Sequence, residues 1–452
     1  MIVPRAKLMY WVAMVVLPFS ILGAVVPATL PLSGFLIGAL ILVALLDALG
    51  GRKSLAGITV QLPEVVRLSK SREARIEMRI GNVSQAPRVL RLALGLPKEI
   101  HSATEELLVS LPPTVEWSRI AWVCRPRQRG NFPVATCFLE TDSPFGFWGV
   151  RAEVPVESEI RVYPDLLGER KNLAALFLNR GAFGLHAQRQ IGQGRDFEKL
   201  REYVPGDGYD EIHWKATAKR GRPITKIFQI EKTQEIYVII DASRLSARSA
   251  PTRQAEAAKN AGEEATVLER FVTAALVLGL AAEQQGDLFG LVTFSDQVGK
   301  FVRARNGDAH YNACRDALYT LQPRAVTPDF DELSAFIRLR LRRRALLLYL
   351  TELDDPVIAG SFVRNLDLIS RQHLVLVNMI QPPGVFPLFS RNNASTLDDL
   401  YQRLGGHLLW QNLRELEKVL QRRGVRFSLL ENEKLSAQLV TQYLGVKQRQ
   451  IL

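Results

Sequence analysis

The chain has little of what most enzyme and metal chemistry requires. Its three cysteines, Cys124, Cys137 and Cys314, form no C-x-x-C pair, which excludes a disulfide framework and a cysteine zinc site. Its six histidines (101, 186, 213, 310, 373 and 407) are far apart, with no pair at helical or zinc-knuckle spacing, so a transition-metal site built by the protein is not expected. Glycine fingerprints are incomplete. Gly51-Arg-Lys-Ser54 imitates the end of a phosphate loop but with the wrong upstream glycine spacing, and Gly192-Gln-Gly194 has only the first two glycines of a dinucleotide motif, with no buried strand before it. There is no internal repeat and no low-complexity segment. Between Leu8 and Leu46 there is no charged residue.

What is present begins with that gap. Its 39 uncharged positions are too many for one bilayer crossing and enough for two of roughly 19 residues each. A secretory signal has a much shorter apolar core. The proline pair in Pro27-Ala-Thr-Leu-Pro31 ends one helix and starts another, giving a hairpin over residues 1–53 with spans at about 8–26 and 32–49. Arg5 and Lys7 precede it and Arg52 and Lys53 follow it. Basic residues at both ends predict that both termini are cytoplasmic, in a two-pass protein of the inner (plasma) membrane.

The rest of the 452 residues is long enough for two further domains. Lys and Arg exceed Asp and Glu by 58 to 46, a net charge of +12, which favours acidic partners or anionic lipid headgroups. The basic residues are scattered and not interleaved with aromatics, so nucleic acid is not expected as a partner. From Ser54 to about Asp165, short runs such as REARIEMRIGN and NFPVATCFLETD alternate apolar and polar residues between turns, which predicts an Ig-like antiparallel β-sandwich. Cys124 and Cys137 fall on the last pair of strands read this way, as thiols in a reducing compartment.

Beyond residue 235 the rhythm changes. EIYVIIDAS, DLFGLVTF, ALLLYLTEL, HLVLVNMI and VRFSLLE are strands buried on both faces, with QVGKFVRA returning from the second as a hairpin. With helices between them, they predict a doubly wound α/β domain over 235–445. Ligands of such sheets bind beyond the carboxyl ends of the strands, where the strand order reverses. That places Asp241-Ala-Ser243 beside Thr351-Glu352, with Thr327 on a nearby loop. Arg338-Leu-Arg-Leu-Arg-Arg-Arg344 reads as a solvated helix end.

Residues 166–234 hold the least ordinary stretch, REYVPGDGYDEIHWKATAKRG from Arg201 to Gly221. With GRDFEKL before it and a strand ending in Asp after it, this stretch resembles the signature of the domain-of-unknown-function-58 family. RGNFPVATCFLETDSPFGFW (129–148) and RVYPDL (161–166) resemble the segments that precede it there. The resemblance implies that the C-terminal domain is von Willebrand factor A-like. It also implies a membrane-bound partner of a MoxR-type AAA+ ATPase, assembling or activating other complexes, with no defined biochemical activity of its own. Domains of that type often carry an Mg²⁺ adhesion site, Asp-x-Ser-x-Ser with a distant Thr and Asp, because hydroxyl and carboxylate oxygens suit a hard cation. Asp241, Ser243 and Thr327 fall on that pattern, but Leu245 stands where the second Ser belongs. The preferred reading is no cofactor, with Asp241 capping its own loop.

Three readings of the 201–221 stretch stay open. A hydrolase would pair His213 with Asp207, Asp210 or Glu211, but no clear nucleophile accompanies them. A structural clip between the sandwich and the α/β domain would use the Pro205-Gly206-Asp207 turn, an Arg201–Asp207 ion pair and a buried Trp214. A docking face would present Arg201, Tyr203, Pro205, Gly206, Asp207, His213, Trp214 and Lys215 to a partner. The preferred expectation is a non-catalytic membrane-anchored scaffold using this stretch as clip or docking face. Oligomeric state and client are not legible.

Overall fold

Uncharged sequence with proline at its centre folds as two helices. The computed structural model describes residues 1–83, 88–112, 115–167, 169, 191–204, 208–229, 234–250, 265–388, 390 and 396–449. Helix α1 spans Ala6–Val25 and α2 spans Leu30–Gly51, the latter preceded by a 3-10 turn at Pro27–Thr29. Both are long and apolar enough to cross a membrane, and only 11% and 17% of their most apolar windows is buried by protein. A π-helical stretch at Val12–Val16 precedes Pro18, which has no N–H to give the ladder. The second helix starts earlier than expected. Pro31 sits in its first turn, where a missing N–H loses no partner, so the break shrinks to Val26.

The chain divides into two compact units, Met1–Asp165 and Leu166–Leu452. In the first, alternating strands form two facing sheets. One has the order β1-β10-β9-β5-β7, with β3 also on β10; the other is β2-β4-β8-β6. The strands are β1 (Ile2–Pro4), β2 (Ile58–Gln61), β3 (Val65–Ser69), β4 (Ala74–Asn82), β5 (Arg88–Leu94), β6 (Ile100–His101), β7 (Leu107–Leu111), β8 (Trp117–Pro126), β9 (Gly130–Asp142) and β10 (Trp148–Tyr163). Ile76, Met78 and Ile80 of β4 meet Leu90 and Leu92 of β5 and Ile160 and Val162 of β10 in one core. That alternation places every second side chain inside.

Three details differ from expectation. ITVQLPEVVRL is two strands rather than one. Pro63 cannot donate to a ladder, and the chain changes sheets there, so β3 runs parallel to β10 and the sandwich is not purely antiparallel. Cys124 and Cys137 lie on strands of opposite sheets, and β10 follows them. Burial pushes both thiols up to about 11. Finally β1, ahead of the first helix, pairs antiparallel with β10.

The second unit opens with a two-stranded ribbon, β11 (Ile191–Glu202) and β12 (Ile224–Gln229), with helix α3 (Trp214–Arg220) between them. A six-stranded sheet follows: β13 (Glu235–Asp241), β14 (Leu288–Phe294), β15 (Val298–Arg305), β16 (Leu346–Leu350), β17 (Leu374–Ile380) and β18 (Arg426–Leu430). Its order is β15-β14-β13-β16-β17-β18, and only the hairpin strand β15 is antiparallel. Ile236, Val238 and Ile240 pack with α4 (Val267–Gln284), α5 (Asp308–Leu318) and α9 (Leu435–Gln448). Tyr237 and Ile239 face α6 (Phe330–Arg340), α7 (Pro356–Ser370) and α8 (Leu397–Arg422). The sheet is therefore doubly wound.

Asp287, before β14, is fully buried. Its carboxylate accepts from Tyr443 Oη at 2.5 Å, Lys447 Nζ at 2.8 Å and the Gln234 N–H at 3.1 Å, tying α9 to the root of the sheet. Asp287→Ala strands a lysine and a buried hydroxyl, and is expected to cost about 3 kcal/mol; Tyr443→Phe, which loses one hydrogen bond, about 1 kcal/mol. Denaturant unfolding of the detergent-solubilised chain checks this, and a change within about 0.5 kcal/mol for Asp287→Ala contradicts it.

Candidate functional site

The strand order reverses between β13 and β16, and the residues at the carboxyl ends of those strands form a knot of buried polar groups. Thr351 Oγ1 donates to Asp241 Oδ2 at 2.7 Å, and the Ser243 N–H donates to Oδ1 at 2.8 Å. Ser246 Oγ donates to the Ser243 carbonyl at 2.8 Å. The Ile380 N–H donates to Glu352 Oε1 at 3.3 Å, and Arg248 binds Asp354 at 2.5 Å. Asp241, Ser243, Ser246, Thr351 and Glu352 are all buried. Burial raises the pKa of Asp241, offset in part by the bonds from Thr351 and Ser243. Glu352 is pushed up to about 8, chiefly by burial and then by the charge of Asp354.

A cation would relieve this crowding of carboxyls, so the donor set decides whether one fits. Both oxygens of Asp241 already accept hydrogen bonds. Leu245 puts a buried isobutyl group, packed in the α6–α8 core, where an oxygen would be needed. Thr327 is exposed on its loop, which meets this end of the sheet through the Arg244 N–H bonded to the Val326 carbonyl at 2.9 Å. Among the described residues no three His, Cys, Asp or Glu side chains converge as ligands. The Ser243 hydroxyl is buried beside Asp241, but one hydroxyl beside one carboxylate does not make six ligands. The residues do not fit Mg²⁺. Instead Asp241 caps its loop and bridges two strand ends.

The 201–221 stretch is built differently. His213 is the N-cap of α3: its Nδ1 accepts from the Ala216 N–H at 3.1 Å, and its own N–H donates to the Ile224 carbonyl at 2.7 Å. The Tyr203 N–H donates to the Pro223 carbonyl at 3.0 Å, Thr217 Oγ1 accepts from the Ile224 N–H, and Glu202 pairs with Arg222 at 2.6 Å. Gly221, at φ 68°, closes the helix in the left-handed conformation. Arg201 lies on β11 and Lys215 is exposed on α3. Pro205, Gly206 and Asp207 lie outside the described residues, and with them the Arg201–Asp207 pair.

One expectation is overturned here. Trp214 is 68% exposed, not buried, because it occupies the first position of a single short helix that buries none of its residues, while Ile212 and Ile224 beside it are buried. Tyr209, at 76%, and Val204, at 48%, are exposed on the same segment. The Arg248–Asp354 pair had no sequence signal, since its partners are 106 residues apart.

A family model described as "Protein of unknown function DUF58" matches residues 199–384, which takes in this stretch and most of the sheet. No curated protein matches the chain. Among solved structures, the chain is similar to an aerotolerance-related membrane protein from Bacteroides fragilis at 12% identity and TM-score 0.30, over 47% of this chain and 98% of that one. It is similar to the conserved hypothetical protein BatB from Bacteroides thetaiotaomicron at 14% identity and TM-score 0.30, over 48% and 99%. It is similar to the SpRpn10 VWA domain at 13% identity and TM-score 0.26, over 46% and 95%.

The Glu352 carboxyl gives a pH test. In the folded chain it holds its proton up to about pH 8, whereas unfolded it ionises near pH 4.5, so the folded state binds more protons between those values. Stability from this group is therefore full below the unfolded pKa and is lost as pH rises towards 8. Glu352→Gln is expected to flatten the decline and raise the melting midpoint at pH 8 by roughly 2–6 °C. Thermal melts at pH 5 and pH 8 decide; an equal pH slope in both proteins contradicts it.

Proposed function

We propose that the chain is a membrane-anchored, non-catalytic scaffold whose body docks a MoxR-type AAA+ ATPase through the 201–221 stretch, without a metal ion. The observation that carries the anchor is the pair of apolar helices with little protein cover, set at the end of a sandwich to which they are hydrogen-bonded. A contiguous apolar surface of this size marks a contact with membrane or protein, and two helices of spanning length favour the membrane. The β1–β10 pair joins the residues before the first span to the domain after the second, which supports both ends on one face of the bilayer. Arg5, Lys7, Arg52 and Lys53 at those ends support the cytoplasmic face.

The docking reading rests on exposed aromatic groups beside basic ones. Tyr209 and Trp214 stand next to Lys215, Lys219 and Arg220 on a segment that carries the family match. Aromatic groups of this kind dominate interface energetics, and the basic rim steers an acidic surface. His213, held as a helix cap, supports a structural role for that side chain. The ATPase as partner rests on the family resemblance.

Binding of a purified MoxR-type ATPase to the full chain in detergent, with ATP and with or without EDTA, tests this. Tyr209→Ala with Trp214→Ala is expected to weaken binding at least about tenfold, while Asp241→Ala and EDTA leave it unchanged. Loss of binding on Asp241→Ala or with EDTA contradicts the metal-independent surface, and no binding by the unaltered chain contradicts the partner.

A further inference from the structure

The turn between β9 and β10, Ser143-Pro-Phe-Gly-Phe-Trp148, is unusually apolar for the end of a sandwich, and it is clamped to both helices. Asp47, buried in the last turns of α2, accepts from Ser143 Oγ at 2.5 Å and from the N–H groups of Phe145 and Phe147 at 2.9 and 3.1 Å. Trp148 Nε1 donates to the Ala44 carbonyl at 2.8 Å, and Lys7 Nζ donates to the Phe145 carbonyl at 2.8 Å. Leu8, Ala44 and Phe147 form a small buried cluster with Trp148 packed against it. Gly146 turns the chain at φ 73°, its N–H bonded to the Ser143 carbonyl at 2.9 Å.

These contacts fix the height of the turn along the helices. Ala44 lies seven residues before the end of α2 at Gly51, about 10 Å along its axis. Lys7 and Leu8 are in the first turn of α1, and the next two residues but one, Tyr10 and Trp11, are exposed. Exposed Tyr and Trp one turn inside a basic residue mark the level of the lipid headgroups on a spanning helix. The turn is bolted at that level, yet Phe145 at its tip is 58% exposed and Pro144 beside it is exposed. Among the described residues, the ring paired with Phe145 is that of Phe147, at 6.5 Å between centroids.

We propose that the Ser143–Trp148 turn is a membrane-contacting element, and that Phe145 and Pro144 insert into the lipid–water boundary beside α1 and α2. The occupant of this surface is the bilayer itself, because the two spans leave the turn no other level. Asp47 makes insertion affordable: it accepts the backbone N–H groups of the turn that would otherwise enter a poorly hydrated layer unpaired. The sandwich is then held by a third point besides its two connections, which fixes its tilt on the membrane. This rests on the membrane reading above.

The test uses the full chain in liposomes of zwitterionic and anionic phospholipid, spin-labelled at Phe145→Cys, Leu42→Cys or Gln128→Cys. The native thiols are buried and leave the introduced one to react. Leu42 is exposed on α2, and Gln128 is exposed at the far end of β9, roughly 40 Å along that strand from the turn. Collision of the label with oxygen, against a water-soluble nickel complex, reports depth. The expected result is Phe145→Cys within about 5–10 Å of the phosphate level, with Leu42→Cys deeper and Gln128→Cys in water. A Phe145→Cys label as water-exposed as Gln128→Cys, with Leu42→Cys still in lipid, overturns the insertion and leaves the anchor standing. A label shielded from both reagents overturns it too, in favour of a protein cover. A water-exposed Leu42→Cys overturns the membrane reading and this inference together.

Discussion

The Asp47 carboxylate is the constraint on which the first unit depends. It is a charge-bearing group at the end of an apolar helix, and burying it without partners would cost several kcal/mol. Three donors from one turn of the sandwich meet it, so helix and sandwich each supply what the other lacks. Arg5, paired with Glu140 and Asp142 at 2.5 Å, and β1, paired with β10, repeat the connection from the other end of the hairpin. A tether of flexible linker would leave the body free to tumble. This arrangement makes the helical hairpin part of the domain.

The second unit solves a different problem. A doubly wound sheet concentrates strand ends, loops and backbone dipoles at one edge, and that edge is where such folds usually bind. Here the space is filled by the protein's own groups: Thr351 and Ser243 occupy Asp241, Leu245 closes the third position, and Glu352 is kept largely protonated by burial. On the 201–221 stretch, by contrast, the aromatic side chains of Tyr209 and Trp214 remain in solvent. Buried polar groups and exposed aromatic ones are thereby separated along the chain.

Much of this was legible in the residues, for physical reasons that also mark the limits. A run of uncharged residues has one cheap environment, and continuous apolar strands such as EIYVIID are buried on both faces, so the hairpin helices and the central sheet announced themselves. Strand β10 did not, because WGVRAEVPVESEIRVY puts charge on its outer face and breaks register between Pro155 and Ser158. Strand β1 is three residues long and has no local signal. Trp214 looked like a core residue by type, and only the outward position on a short helix exposes it. Of the candidate site residues, Asp241 and Ser243 do meet at one strand end and Thr327 stays at the surface. The pairing of Asp47 with Ser143 spans 96 residues, beyond any pattern of local periodicity.

Amide exchange at Phe145 and Phe147 in the full chain, embedded in lipid nanodiscs, tests the central claim most directly. If Asp47 clamps the turn, both amides exchange slowly in the native protein and at least about tenfold faster in Asp47→Ala, the equivalent of one charge-assisted hydrogen bond. Exchange at the same rate in both proteins would mean that the turn is ordered without Asp47, and that the helical hairpin is held to the sandwich by its other contacts.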